Sequence, residues 1–145
     1  MLGWNRVGKF VCAAVAIATY FAFAGWSMHS YVDRVPKGKV VARLSPSFEK
    51  SSSHPYLFVG HSVANPSIAK LLDGLADSTD SNERSPVLLY KGDRRLGPAH
   101  SSHGDIARLG GGRYSHWLGQ GFVFSTSDNS DPNTNGRVYW AVVPY

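Results

Sequence analysis

FVFSTSDNSDPNTNGRVYW, residues 122–140, sets a dense polar stretch between two runs of aromatic and branched side chains. The flanks read as strands, Phe122–Ser125 before the stretch and Arg137–Val143 after it. In the second, Tyr139, Ala141 and Val143 alternate with Val138, Trp140 and Val142, so the strand is apolar on both faces and is expected to be covered on both. Asn135-Gly136 is a strong hairpin-turn dipeptide, and short Asn and Asp side chains favour turns that bond their own backbone. The first reading of the stretch is therefore a structural turn joining a β-hairpin. A second reading is a calcium loop. Asp131, Asn133 and Asn135 place oxygen donors at alternate positions before Gly136, as in the first half of an EF-hand. The second half fails, because the twelfth position is Val142 and not a bidentate Glu. No cofactor is expected, with calcium at these three residues as the alternative; direct ligand contact is the third reading.

Working outward, Tyr56–Val59 is a compact β-prone run between Pro55 and Gly60. Asn65-Pro66 supplies a cap and a first-turn Pro ahead of Ile68, Leu71, Leu72 and Leu75, which recur at helical spacing. Val87–Tyr90 runs into Lys91-Gly92-Asp93-Arg94, a tight turn returning through Arg95-Leu96. A helical turn is expected at Asp105–Leu109, ended by glycines 110–112, before a strand at Arg113–Trp117. The fold class predicted is mainly β, a small antiparallel sheet or sandwich with one or two short helices over residues 56–145, preceded by a single N-terminal transmembrane helix. About 90 residues bury only a modest core.

Residues 10–27 carry no charge and follow Arg6 and Lys9, the pattern of a membrane-targeting segment. Trp4 on one side and Trp26 to Tyr31 on the other offer aromatic anchors about a bilayer apart, which favours a retained anchor over residues 1–31. The competing reading is a cleaved signal peptide with Ala22-Phe23-Ala24 as its small-residue site. Residues 32–55, rich in Ser, Pro and Lys/Arg, read as a basic linker with at most a short strand at Val40–Leu44. The net charge of +5 lies wholly in the N-terminal third, since residues 51–145 hold eight Lys/Arg and eight Asp/Glu. A nucleic-acid binder needs its basic footprint on the folded domain, so nucleic acid is excluded as a partner and membrane lipid is the expected one. Cys12 is the single cysteine, which excludes an intrachain disulfide and a thiolate zinc site.

Three constellations could carry chemistry. Ser115, His116 and Asp105 supply the residue types of a hydrolytic triad, but neighbours on a strand point to opposite faces and no nucleophile-elbow motif is present. His100, His103 and His116 offer three nitrogens to a metal. Arg113, Tyr114, His116, Trp117, Asp128, Asn129, Asp131 and Arg137 form a kit suited to sugars, an aromatic face with amides, carboxylates and guanidinium groups forking onto hydroxyls. The simpler version of that kit is a polar network pinning two loops. In it, Arg113 or Arg137 pairs with Asp105, Asp128 or Asp131, and Trp117 is core.

DSTDSNERSPVLLYKGDRRLGPAHSSHGDIARLGGGRYSHW followed by FSTSDNSDPNTNGRVY resembles a small β module of proteobacterial proteins. Its pattern runs Leu-Gly-Pro-x-His, Gly-Gly-Gly-Arg-aromatic-Ser-His-Trp and Ser-Asp-Asn-Ser-Asp-Pro-x-x-Asn-Gly-Arg, and the likeness covers about residues 77–140. That module is often appended to glycan-related enzymes, including membrane glycosyltransferases and methyltransferases, and also occurs alone behind a membrane segment. The resemblance implies an accessory or carbohydrate-associated role and transfers no catalytic residue. The function expected is a non-enzymatic, membrane-anchored accessory module, carbohydrate-binding, in envelope or polysaccharide biology. Its setting would be the bacterial inner membrane, crossed once, with the domain periplasmic. The alternative is a structural subunit whose alanines (Ala13, Ala14, Ala16, Ala18, Ala22, Ala24) pack against other membrane proteins.

Overall fold

The computed structural model describes residues 4–30, 34–61 and 63–145, and the chain divides into two compact units after residue 32. The first is a single helix, α1 (Trp4–Ser30). Within it Gly8–Ser27, 20 residues with none of the segment buried, is long and apolar enough to cross a membrane, because it extends about 30 Å at the helical rise. The Thr19 hydroxyl is satisfied locally: its Oγ1 donates to the Val15 carbonyl at 2.8 Å. Trp26 is exposed; Tyr31, the other anchor expected here, lies outside the described residues.

The second unit is a sandwich of two four-stranded antiparallel sheets. The first sheet has the order β1-β8-β4-β5 and the second β2-β3-β7-β6. The strands are β1 (Val40–Arg43), β2 (Glu49–Lys50), β3 (Phe58–Gly60), β4 (Leu88–Lys91), β5 (Arg94–Arg95), β6 (Tyr114–Trp117), β7 (Gly121–Phe124) and β8 (Tyr139–Val143). Between them run α2 (Pro66–Gly74) and α3 (His103–Leu109). Period-two alternation turns Ala42, Leu89, Tyr139 and Ala141 of the first sheet and Phe58, Tyr114, Phe122 and Phe124 of the second into one shared core. Its centre is aromatic. Phe48 meets Phe124 and Tyr139 edge-on with ring centroids 5.2 and 5.5 Å apart, and Phe124 lies 5.4 Å from Tyr139. Both helices obey their caps. Asn65 Oδ1 accepts from the Ser67 N–H at 2.9 Å at the start of α2, and Ser102 Oγ accepts from the Asp105 N–H at 3.1 Å at the start of α3. α3 packs on β6 and β7 through buried Ile106 and Ala107.

Two expectations need correction. The hairpin expected across residues 122–140 does not form, because β7 pairs with β3 and β6 while β8 pairs with β1 and β4. The polar stretch instead crosses from one sheet to the other. Phe122 and Phe124 face Tyr139 and Ala141 across the core, an arrangement that a two-residue hairpin within one sheet would forbid. The linker assigned to residues 32–55 is also too long, since it contains β1 and β2 and supplies Ala42, Leu44 and Phe48 to the core. The alternation of Ala42 and Leu44 with outward Arg43 is a strand signal shortened by the prolines and serines around it.

Phe48 is held in place by the crossing loop. Its N–H donates to Asn133 Oδ1 at 2.8 Å and its carbonyl accepts from Asn133 Nδ2 at 3.0 Å, so one side chain satisfies both backbone groups of a core residue. Asn133→Ala is expected to lower the stability of the second unit by about 2 kcal/mol, two modest bonds and two poorly satisfied backbone groups. Urea unfolding measures it.

A candidate cleft beside a buried histidine network

β6 sends Tyr114 and His116 into the sandwich and Ser115 and Trp117 to the opposite face. In register with His116 stands Phe122 of β7, and the two rings stack nearly parallel at 4.2 Å. His116 Nδ1 shares a 2.8 Å hydrogen bond with Ser85 Oγ, and both residues are buried. Behind this pair lies Asp77, fully buried. Its Oδ1 accepts from the Ser85 N–H at 2.7 Å, and its Oδ2 meets His100 Nδ1 at 2.8 Å. The main chain of Asp77 is tied to β6 as well: its N–H donates to the His116 carbonyl at 2.8 Å, and its carbonyl accepts from the Leu118 N–H at 2.9 Å. One residue thus fixes Ser85 and His100 through its carboxylate and the end of β6 through its main chain, and His100 adopts a left-handed φ of 52° within this network.

Next to His116 a cleft of about 420 Å³ opens between α2 and the β6–β7 turn. Buried His116, Phe122, Leu44 and Leu72 line it together with half-buried Val63, and exposed His61, Lys70 and Asp73 bring polar groups. Asp73 Oδ1 accepts from the Gly119 N–H at 2.9 Å and so braces the turn against α2. Burial pushes the His116 imidazole down to about 4, against the opposing pull of the Asp77 and Asp73 carboxylates. At neutral pH the ring is therefore uncharged. Its Nδ1 is taken by Ser85, and Nε2 has no hydrogen-bond partner among the described residues. An imidazole this reluctant to take a proton is a poor general base near pH 7, but it is a well-oriented hydrogen-bonding group.

The eight residues of the sugar-gripping kit do not converge on one surface. His116 lines the cleft. Tyr114 is core, its hydroxyl donating to the Val87 carbonyl at 3.3 Å, and burial raises that hydroxyl's pKa. Trp117 lies half-buried on the other face of β6, edge-on to His103 at 6.3 Å. Arg113 Nη1 donates to the Gly110 carbonyl at 3.0 Å. Asn129 Oδ1 accepts from the Gly111 N–H at 2.7 Å; a side chain at Gly110, where φ is 59°, would collide with this amide. Asp128 pairs with Lys91 at 2.6 Å, which holds its carboxyl well below the usual carboxylate range. Asp131 Oδ1 accepts from the Asn133 N–H at 2.9 Å and its Oδ2 meets Lys50 at 3.5 Å. The Arg137 N–H donates to Asn135 Oδ1 at 3.0 Å. Arg113, Asp128, Asn129 and Asp131 each brace a loop, the carboxylates of Asp128 and Asp131 meeting lysines, hydroxyls and backbone N–H groups, while Asp105 pairs with Arg108.

The three residues of the calcium reading also face backbone donors. Asp131 Oδ1, Asn133 Oδ1 and Asn135 Oδ1 each face a backbone N–H, of Asn133, Phe48 and Arg137 respectively. Asn135 Nδ2 meanwhile donates to the Tyr139 hydroxyl, which burial pushes up to about 12. Among the described residues no group of three or more His, Cys, Asp or Glu side chains is placed to hold a metal ion, the three histidines included.

Ser115, the nucleophile of the rejected triad, is buried with an Oγ that has no partner among the described residues. Ser115→Ala is expected to leave stability unchanged or raise it by about 1 kcal/mol, because it removes an unsatisfied buried hydroxyl. A destabilisation of that size in thermal unfolding would contradict the assignment.

No protein-family model matches this chain, and no curated protein or solved structure is significantly similar to it.

Proposed function

We propose that the chain is a non-enzymatic, membrane-anchored binding module whose cleft beside His116 takes a small hydroxylated ligand of about monosaccharide size. One observation carries the reading: a buried, uncharged imidazole and an aromatic ring stacked on it line a cleft together with apolar side chains and exposed polar ones. Sugars present an apolar ring face and a girdle of hydroxyls, and a site of that mixed character suits them. The low proton affinity of His116 favours binding over acid–base catalysis. Anchorage rests on the apolar helix α1, and the resemblance to modules of glycan-related proteins points to envelope or polysaccharide biology in a bacterial inner membrane with the domain periplasmic.

Calorimetry on the full-length chain in nanodiscs, titrated with a panel of neutral and acidic mono- and disaccharides, tests the proposal. Saturable binding weakened by Lys70→Ala or His61→Ala, both exposed residues at the cleft, supports it. The absence of binding to any sugar, together with stable co-purification of other membrane proteins in mild detergent, would instead support a structural subunit packing through the alanines of α1.

A further inference from the structure

The two ring nitrogens of His116 have different surroundings, and the bonded one fixes the proton on the other. Ser85 Oγ, 2.8 Å from His116 Nδ1, also accepts from the Val87 N–H at 3.4 Å. Among the described residues Nδ1 is the one acceptor within reach of the Ser85 hydroxyl proton. Were Nδ1 protonated, that buried hydroxyl would have nowhere to donate. Ser85 therefore donates to Nδ1, and a neutral imidazole that accepts at Nδ1 keeps its own proton at Nε2. Among the described residues, the polar side-chain atoms sealed from solvent without a partner are Ser115 Oγ and Trp140 Nε1. His116 Nε2 is unpartnered yet not sealed, so its N–H keeps an open edge, and the space that His116 lines is the cleft.

We infer that the cleft selects an N-acetylated sugar, whose acetamido carbonyl accepts from His116 Nε2–H while its methyl group lies among Leu44, Val63, Leu72 and Phe122. This inference rests on the cleft being a sugar site and names the class of sugar. A fixed N–H donor calls for an acceptor. A sugar hydroxyl can accept, but it brings a proton of its own that needs a further acceptor, whereas a carbonyl oxygen only accepts. A carboxylate accepts as well. It would have to shed its hydration beside an uncharged ring and apolar side chains, with the Asp73 carboxylate in the same lining. Lys70, the one lysine there, is exposed, and its charge is shared with water. The acetamido group is neutral, carries an acceptor and ends in a methyl, and so matches both the donor and the apolar side chains around it.

The test uses the full-length chain in nanodiscs and matched sugars: N-acetylglucosamine against glucose, N-acetylgalactosamine against galactose, and glucuronate as the acidic member. In calorimetry the acetamido sugar of at least one pair is expected to bind about ten-fold more tightly than its plain partner, the worth of one hydrogen bond and a buried methyl. Isotope-edited NMR of the imidazoles is expected to show His116 protonated at Nε2 and bare at Nδ1, with the Nε2–H resonance moving when that sugar is added. Equal affinities within both pairs would overturn the inference and leave the cleft standing as a sugar site. Absence of binding by any of these sugars would overturn both. Tighter binding of glucuronate than of either acetamido sugar would assign the donor to a carboxylate and overturn the inference. A proton found on Nδ1, or an Nε2–H resonance unmoved by a bound acetamido sugar, would overturn it whatever the affinities.

Discussion

Lowering the pH from 7 to 4 is expected to destabilise the second unit by about 3 kcal/mol through His116 alone. The imidazole is pushed down to about 4 by burial, from an ordinary value of 6.5. Its unfolded form therefore takes a proton more readily than its folded form. The stability that the neutral ring contributes is fully present above pH 6.5 and is lost as the pH falls towards 4, at about 1.4 kcal/mol per unit of separation between the two values. Urea unfolding between pH 7.5 and 4.5 measures the slope. His116→Gln, which keeps a hydrogen-bonding group for Ser85 and does not titrate, is expected to flatten the curve in this window. A slope unchanged by that substitution would mean that other groups carry the acid sensitivity.

Asp77→Ala is expected to be the most damaging single polar substitution, costing about 3–5 kcal/mol. It strips a fully buried carboxylate from the Ser85 N–H and from His100 Nδ1, and leaves the buried Ser85 donor without a partner and the half-buried histidine without its anchor. Asp77→Asn keeps an acceptor for one of them and should cost roughly half as much. His100→Ala in the Asp77→Ala background should add little, because the two residues act through one bond and their effects are not additive. Thermal unfolding of the three variants separates this from simple loss of packing, under which the nearly isosteric Asn would cost almost nothing.

Much of the fold could be read before the structure. Asn65-Pro66, the leucines of α2, the Lys91–Arg94 turn and the alternation in residues 139–143 each speak through local chemistry, and each element forms within a residue or two of its expected place. What failed were statements about distance. Asn135-Gly136 is a turn signal whichever strands it serves, and nothing local told β7 and β8 that they belong to different sheets. Likewise Ala42 and Leu44 announce a strand only weakly, yet the sandwich needs their side chains and Phe48 to close its core.

The site was less legible for the same reason. Asp77 sits in a run of Ser, Thr, Asp and Asn that reads as a solvated loop, Ser85 precedes a proline, and His100 looked like one of three spare histidines. Their common hub depends on contacts 8 to 31 residues apart in the chain. The asparagines and aspartates of residues 128–135, by contrast, drew attention through composition, and their chemistry is spent on backbone N–H groups of their own loop, of Gly111 and of Phe48, and on Lys91 and Lys50. Composition identifies polar groups in quantity; only the fold says which of them remain unpartnered beside a cavity.

The most direct measurement of the central claim is a two-dimensional NMR titration of the full-length chain in nanodiscs with the tightest-binding saccharide of the panel. The account predicts that shifts concentrate on His116, Phe122, Leu72 and Val63, with Trp117 and residues 126–137 unmoved. Shifts confined to Trp117 and that loop, with the His116 imidazole silent, would contradict it.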